Sequence, residues 1–433
     1  MRQLILIFCL LSASALAFGQ MAFPDSILGV RSGAYSARSL SLGHTYLTEE
    51  SGPACVMGNP AGLADQDKRW RFAFSGNLSR NEEVRKYPVF DAFNSVLVYN
   101  NYALNDKLYS KADGGIAYKL PTDAVQSLVV SLSSYSEYSF DYSYHEEVRD
   151  RSAEGGIMDR PLGYNRLDLS GDLRTLSFGA AAKMHGPLSV GFAFNTLEGN
   201  WTYTKSVSYV GDYISTDSNM VQRVKYTNSG APGEVNFGAM YDLSERLKIG
   251  ARVLLPTGEY KFKRDGGFTH YNYNAPADTS VKTITEAYAG DITEQYPKRI
   301  SLGVQYRPKS EFRPVLMLEG EVFTYHDTDP SFDNTFEIRA GVEQEVVPGA
   351  PVRFGYVYAT SPTDQERAAS LFTAGIGFSI QKLHCDVGAE LGTFAYTSPD
   401  LFPQHLYGGT DRVNSDRVQT DVFRGIVTLT YDL

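Results

Sequence analysis

The feature that most limits what this chain can become is a two-residue rhythm. From Leu128 the even positions read Leu, Val, Leu, Ser, Ser, Tyr, Phe, Tyr and Tyr as far as Tyr144. The odd ones read Val129, Ser131, Ser133, Tyr135, Glu137, Ser139, Asp141 and Ser143. Successive side chains on a strand point to opposite faces, so the stretch reads as one strand with an apolar and a polar side. At ~3.3 Å per residue it would span about 50 Å. The rhythm returns at 70–74, 188–194, 235–243, 300–306, 336–342, 352–358 and 383–391.

The connections alternate as well. Short ones fall at 121–125, 185–187, 244–246, 307–313, 347–350 and 381–382, and long polar ones near 145–165, 205–232, 264–296, 360–370 and 395–420. Short turns on one side and long loops on the other describe a membrane-spanning β-barrel; a soluble sandwich gives no reason for such one-sided lengths. The expected strands lie near 68–80, 112–120, 126–144, 166–184, 188–204, 233–243, 247–263, 297–307, 313–325, 335–346, 351–360, 371–380, 383–395 and 421–433. That is about fourteen, an even number, with both ends on the short-turn side. A separate strand over 88–104 would break the parity, so that stretch is expected in the first outer loop, with a helix as one option.

Composition agrees with an all-β transmembrane antiparallel barrel. The 433 residues include 29 Tyr and 39 Gly, and mean hydropathy is −0.26. Past the first twenty residues, no uncharged apolar run approaches the ~20 residues a spanning helix needs. A formal charge of −10 with no basic block gives nucleic acid no footing. Three cysteines are too few for a disulfide framework or a Cys-rich metal site, and whether Cys55 pairs with Cys385 stays open.

The N-terminus has the layout of a secretory signal peptide: Arg2, an apolar run from Leu4 to Leu11, then small residues ending Ala15-Leu16-Ala17. Cleavage is expected after Ala17 or two residues later, and Cys9 is filler in the apolar run. The expected division is 1–17 signal peptide, 18–67 an N-terminal hatch or plug, and 68–433 the barrel with long extracellular loops.

With the apolar face toward lipid, the other face lines the lumen. It carries Arg71, Lys183, Lys248, Arg252, Arg299, Glu319, Glu321, Arg339, Glu343, Arg353, Asp386, Glu390 and Arg424. Mixed signs predict a cross-linked polar network rather than a filter of one sign. A fourteen-stranded barrel is too wide for side chains alone to fill, and the segment before the first strand is the sizeable candidate for a plug.

That segment carries a resemblance. It reads Gly33-Ala34-Tyr35-Ser36-Ala37-Arg38-Ser39-Leu40-Ser41-Leu42-Gly43-His44-Thr45-Tyr46-Leu47-Thr48, followed by Asn59-Pro60-Ala61-Gly62-Leu63-Ala64. It resembles the FadL/OmpP1/TodX family of outer-membrane hydrophobic-compound channels and its PorV-like relatives, in which a stretch ending Asn-Pro-Ala leads from a hatch into the first strand. The resemblance implies a monomeric barrel in the bacterial outer membrane, inserted by the barrel-assembly machinery and closed by the hatch. Asn59, Pro60, Ala61 and Gly62 would set the hatch geometry, with Arg71 a charged neighbour. It also implies a wall opening beside a kinked third strand, where Ser134 and Ser136 interrupt the lipid-facing row. The last residue departs from the pattern, being Leu433 where barrels often carry Phe.

Nothing points to an enzyme. The seven histidines show no His-Glu-x-x-His spacing, no Gly-x-Ser-x-Gly turn is present, and Gly375-Ile376-Gly377 sits in an alternating strand. Asp327, Asp329 and Asp333 read as solvated loop acids, and neither cofactor nor metal is expected. Two functions fit: a channel for passive uptake of long-chain fatty acids or other hydrophobic small molecules, gated by the hatch, or a PorV-like scaffold that holds a secreted protein and transports nothing.

Overall fold

The structure, a computed structural model, describes residues 29–433 apart from 49–50, 94, 150–159, 211–218, 231–232, 275–278, 311–312, 348, 363–367 and 410. The expected signal peptide, with Cys9, lies outside the described residues, as does the expected plug before residue 29.

A two-residue strand β1 (Val30–Arg31) and a short helix α1 (Ala37–Ser41) come first. The wall follows: β2 (Trp70–Phe90), β3 (Val96–Leu120), β4 (Ser127–Ser139), β5 (Tyr142–Arg149), β6 (Pro161–Lys183), β7 (Leu188–Tyr209), β8 (Asn219–Gly230) and β9 (Gly233–Ser244). It continues with β10 (Leu247–Pro256), β11 (Tyr260–Asn274), β12 (Thr279–Glu294), β13 (Arg299–Tyr306) and β14 (Val315–Phe323). Then come β15 (Thr335–Val347), β16 (Ala350–Thr360), β17 (Ala368–Ile380), β18 (Leu383–Ser398) and β19 (Asp416–Asp432). The pairs β4/β5, β8/β9, β10/β11 and β12/β13 are each one interrupted stave, so the antiparallel wall has fourteen staves. It closes where β19 pairs with β2, from Asp432↔Arg71 to Arg417↔Lys86.

Closure follows from the alternation. Outward rows such as Ile300, Leu302 and Tyr306 on β13, or Phe423, Val427, Leu429 and Tyr431 on β19, are exposed around a belt suited to hydrocarbon. In such a medium an unpaired backbone group costs several kcal/mol, so strands survive there only as a closed ladder. No helix among the described residues is long and apolar enough to cross a membrane.

Three expectations need correction. Residues 88–104 are not a helical loop: β2 and β3 run on past the belt as one long hairpin, register-paired to Phe90↔Val96. Parity limited how many strands there are and left their length free. By the same extension, much of 205–232 and 264–296 is strand, in β7–β8 and β11–β12. Finally, the run from 128 to 144 is not one strand with a single lipid face. Its ladder to β6 slips a register between Ser136 and Tyr138, and Phe140-Asp141 breaks it. Beyond the slip the even side chains Tyr138, Phe140 and Tyr144 are buried. Phe140 stacks on Trp201 with ring centroids 4.2 Å apart.

Residues 33–48 and 52–66 run through the lower lumen, on the short-turn side, and almost all are buried. Ser36 caps α1, its Oγ accepting from the Ser39 nitrogen at 3.0 Å. The apolar core lies between this inner segment and the wall: Tyr35, Cys55, Val56, Met57 and Leu63 pack on Ala117, Val129, Tyr135, Ala181 and Ala193. Burying each of Val56, Met57 and Leu63 contributes about 1.5–3 kcal/mol. Cys55 is thus luminal while Cys385 lies on the outward row of β18, and the two are not bridged to each other.

Glycine makes the fit. Gly115, Gly179, Gly191, Gly238, Gly250, Gly303, Gly341, Gly355, Gly375 and Gly388, on ten of the fourteen staves, face the inner segment so closely that a side chain would strike it. A Cβ at Gly238 would sit 1.9 Å from Asn59 Oδ1, and one at Gly355 2.0 Å from the Gly43 nitrogen. Each bare strand position lets one more turn of the inner segment lie against the wall.

Candidate functional site

On one side of the wall the ladder breaks at a seam between two neighbouring staves. β3 pairs with β4 only from Leu120↔Leu128 to Gly114↔Ser134. Past that point β4 leaves β3, bends inward and takes a different partner: Ser139 and Tyr138 pair with Val30 and Arg31 of β1. The remaining edge of β3, back to Val96, has no ladder on this side. Side chains lace the gap instead. Asp113 Oδ1 accepts from the Ser136 nitrogen at 2.8 Å, and Asn105 Oδ1 accepts from the His145 nitrogen at 2.7 Å. Arg174 reaches across from β6 to donate to the Ala112 carbonyl at 2.9 Å and to Asp113 at 3.1 Å. Ser134 marks the last rung, within 3.5 Å of the Arg174 guanidinium. Ser136 is buried and faces inward, not toward lipid.

Behind the seam lies a cavity of about 210 Å³. Its floor is the inner segment at 30–33 and His44; its seam side is Asn105, Lys107, Tyr109 and Lys111 of β3 with Ser136, Glu137 and Tyr142. The far wall is apolar: Val357, Leu371 and Val422, with Ala359 one position on. Register explains the strip, because Val422, Gly392, Leu371 and Val357 form one continuous rung across β19, β18, β17 and β16. The next rung toward the short turns carries Arg424, Glu390, Thr373 and Gly355. An apolar surface thus faces a polar one across the cavity, with charge beneath. A second cavity of about 230 Å³ lies lower, lined by Arg38, Arg71, Arg353 and Thr428. Ile426, packed on Ala34, Ala37 and Leu40, separates the two along β19.

The charged residues read from the sequence gather around the inner segment. Arg252 donates to Tyr46 Oη at 2.9 Å and to Glu321 at 3.2 Å. Arg299 donates to Glu137 at 2.9 Å, and the same carboxylate accepts from Tyr35 Oη at 2.7 Å. Glu319 accepts from the backbone nitrogens of Tyr46 and Leu47 at 3.0 and 2.7 Å. Arg339 pairs with Glu321 and Glu337 and stands over the Tyr46 ring. Arg353 joins Glu343 to Asp386 at 2.6 and 2.5 Å, and Arg38 also reaches Glu343. Arg71 is held by Asp432 at 2.7 Å and donates to Ser51 at 3.0 Å, beside the start of β2. Lys183 and Lys248 converge on Asp65 at 3.2 and 2.9 Å. Burial alone would raise the Asp65 carboxyl, but the two ammonium groups hold it below the usual carboxylate range.

Asn59 is fully buried and ties the inner segment to itself and to the wall. Its Nδ2 donates to the carbonyls of Leu47 at 2.8 Å and Ala239 at 3.2 Å, while Oδ1 accepts from the Ala61 nitrogen at 3.1 Å. Pro60 opens the 3₁₀ turn Pro60–Asp65 that contains Ala61 and Gly62, and Gly191 of β7 admits Pro60 and Ala61 against its bare backbone. Sequence reasoning missed the glycine girdle. Its signal was visible: on strand after strand the residue opposite the apolar row was Gly where a barrel lumen wants polar side chains. It also missed Arg31, His44 and Tyr46, which supply the segment's side of the network.

No family model matches the chain, and no curated protein matches it in sequence. Solved structures do match in fold. A FadL homologue from Pseudomonas aeruginosa aligns over 93% of this chain and 99% of its own, with a TM-score of 0.64 and 14% identity. The Pseudomonas putida toluene transporter TodX aligns over 92% and 98%, with a TM-score of 0.58 and 12% identity. The Ralstonia pickettii toluene transporter TbuX aligns over 93% and 99%, with a TM-score of 0.55 and 12% identity. The chain shares their fold over more than nine-tenths of its length.

Proposed function

We propose that the protein is a bacterial outer-membrane channel for small hydrophobic molecules, with residues 18–67 as its hatch. The observation that carries this reading is the coincidence of cavity and seam: the place where β4 leaves β3 opens onto a luminal strip of Val and Leu side chains, Val357, Leu371 and Val422. Neighbours of the same fold are described as a FadL homologue and toluene transporters, which favours the same class of cargo. In the closed state a mixed-sign network holds the inner segment across the lumen, so ions find no open pore. A molecule with apolar surface enters the upper cavity, lies on Val357, Leu371 and Val422, and leaves through the seam into hydrocarbon. No group on the path is placed for bond chemistry; the step is partition and diffusion.

The test is uptake of oleate into proteoliposomes. Saturable uptake that depends on the protein supports the channel; none, together with a secreted protein that stays bound through purification, supports a scaffold. One observation favours that second reading: the β2–β3 hairpin projects past the belt and exposes Phe93, Leu97 and Val98 near its tip, where nothing described covers them.

A further inference from the structure

Exposed cations above the belt commonly have an acid beside them: Arg80 pairs with Asp106 at 2.7 Å, Lys298 with Asp327 at 3.1 Å, and Arg166 with Asp168. A group of four does not. Arg223 and Lys225 on β8 and Lys261 and Lys263 on β11 are exposed, and none makes an ion pair or a side-chain hydrogen bond among the described residues. The alternate residues of both strands point inward, where Tyr226 and Phe262 each pack on Trp201 with ring centroids 4.8 Å apart. The four cations therefore stand on the outer face, over backbone held by an aromatic core.

Register gathers them. Lys263 faces Thr227 and Asp265 faces Lys225, so Lys261, Lys263 and Lys225 follow one another as same-face or diagonal neighbours about 7–8 Å apart. Arg223 comes two residues beyond Lys225 on the same face. Asp265 stands across from Lys225 and Asp291 across from Lys263, yet neither acid closes an ion pair among the described residues. The next strand adds Asn200, Thr202 and Thr204 to this face.

Their height identifies what they meet. Phe194, Val235 and Leu255 share one rung at the upper rim of the apolar belt. Counted along β7 from that rung, Lys261 lies about 10 Å and Arg223 about 25 Å above it, at ~3.3 Å per residue and a tilt of ~40°. A phospholipid head-group layer is only about 5–8 Å deep on each side of the hydrocarbon, so it ends below the first of these cations. A lipid whose head is built of charged sugars reaches all four.

We infer that the outer face of β8 and β11 binds an anionic glycolipid of the outer leaflet, one that carries phosphate groups on its sugars. The inference needs the outer-membrane barrel and not the cargo assigned to it. The fatty chains lie on Phe194, Phe237 and Leu255, which are exposed below. Phosphates sit among the ammonium groups of Lys225, Lys261 and Lys263, and Arg223 takes one higher on the sugar chain through its planar fork. The amide and hydroxyls of Asn200, Thr202 and Thr204 meet sugar hydroxyls.

The experiment titrates the full chain in detergent with four probes: a lipopolysaccharide with a short phosphorylated core, the same lipid after dephosphorylation, phosphatidylglycerol, and the core oligosaccharide freed of lipid. The expected result is at least tenfold tighter binding of the intact glycolipid than of any other probe, weakened by added salt. Lys225→Gln with Lys263→Gln should lower that affinity at least tenfold, while Arg166→Gln, a paired cation on the same outer wall, should leave it unchanged. Equal binding of the dephosphorylated lipid, or an affinity that survives the double variant, overturns the site. Phosphatidylglycerol binding as tightly overturns the glycolipid in favour of any anionic lipid, and the free oligosaccharide binding as tightly overturns the lipid in favour of a soluble saccharide. Oleate flux should be unchanged in the double variant, and a chain that carries no oleate but keeps the glycolipid preference refutes the channel and leaves this site standing.

Discussion

The barrel has two arcs built on opposite plans. From β6 round to β18 the wall meets the inner segment almost rung by rung, with nine inward glycines against the segment and Arg252, Arg299 and Arg339 locked to buried carboxylates. Around β19, β2, β3 and β4 one glycine, Gly115, makes such an approach, the two luminal cavities reach this arc from β16–β18, and side chains replace part of the ladder. Sequence marks the difference: bare glycine alternates with apolar residues in the first arc, while Asn77, Ser79, Asn105 and Lys107 stand inward in the second. One arc fixes the inner segment in place, and the other leaves room beside it.

Substitutions can break that contrast. The largest effect is expected from Gly355→Val or Gly238→Val, whose side chains would collide with backbone or with Asn59 and force the segment away. Docking of the segment should weaken by about 3 kcal/mol or more, seen as rapid proteolysis before residue 68. Ser79→Val, which faces the upper cavity on the other arc, should leave proteolysis unchanged.

Next is the charge network. Glu321→Ala strips Arg252 and Arg339 of a shared buried partner. It should lower stability by about 3–5 kcal/mol in denaturant titration, because Arg252 is left without a carboxylate in a dry site while Arg339 keeps only Glu337 close by. Asp113→Ala, at the seam, removes a partner from a guanidinium that is about a third exposed. Its cost should be about 1 kcal/mol or less, with faster oleate flux as its main consequence.

The smallest effect concerns Asp65. Its pKa in the folded chain is below the unfolded value, so its contribution is complete above the unfolded value and disappears as pH falls through the folded one. Asp65→Asn should therefore cost about 1 kcal/mol or less at neutral pH, and the difference from the parent chain should vanish in strong acid.

Much of this was legible in the chain. Alternation and loop asymmetry fixed the barrel class and its strand number, because both follow from a wall between two media. Strand ends past the belt were not legible, since 96–104 is as good a strand as any but carries no lipid-facing constraint to reveal it. The seam was half legible. Ser134 stands at its last rung, but the inward turn of Tyr138 and Phe140 depends on β1 pairing with β4, a contact more than a hundred residues apart in the chain. Asn59 could be read as a turn former; that its amide bridges Leu47 and Ala239 could not, because three separate segments meet there.

The most direct test bridges the seam. In a Cys55→Ser, Cys385→Ser background, Ala112→Cys and Arg174→Cys place thiols on either side of the gap that Arg174 now spans at 2.9 Å. A short reducible crosslinker there should abolish oleate flux into proteoliposomes, and reduction should restore it. Flux that continues with the seam bridged would contradict the account.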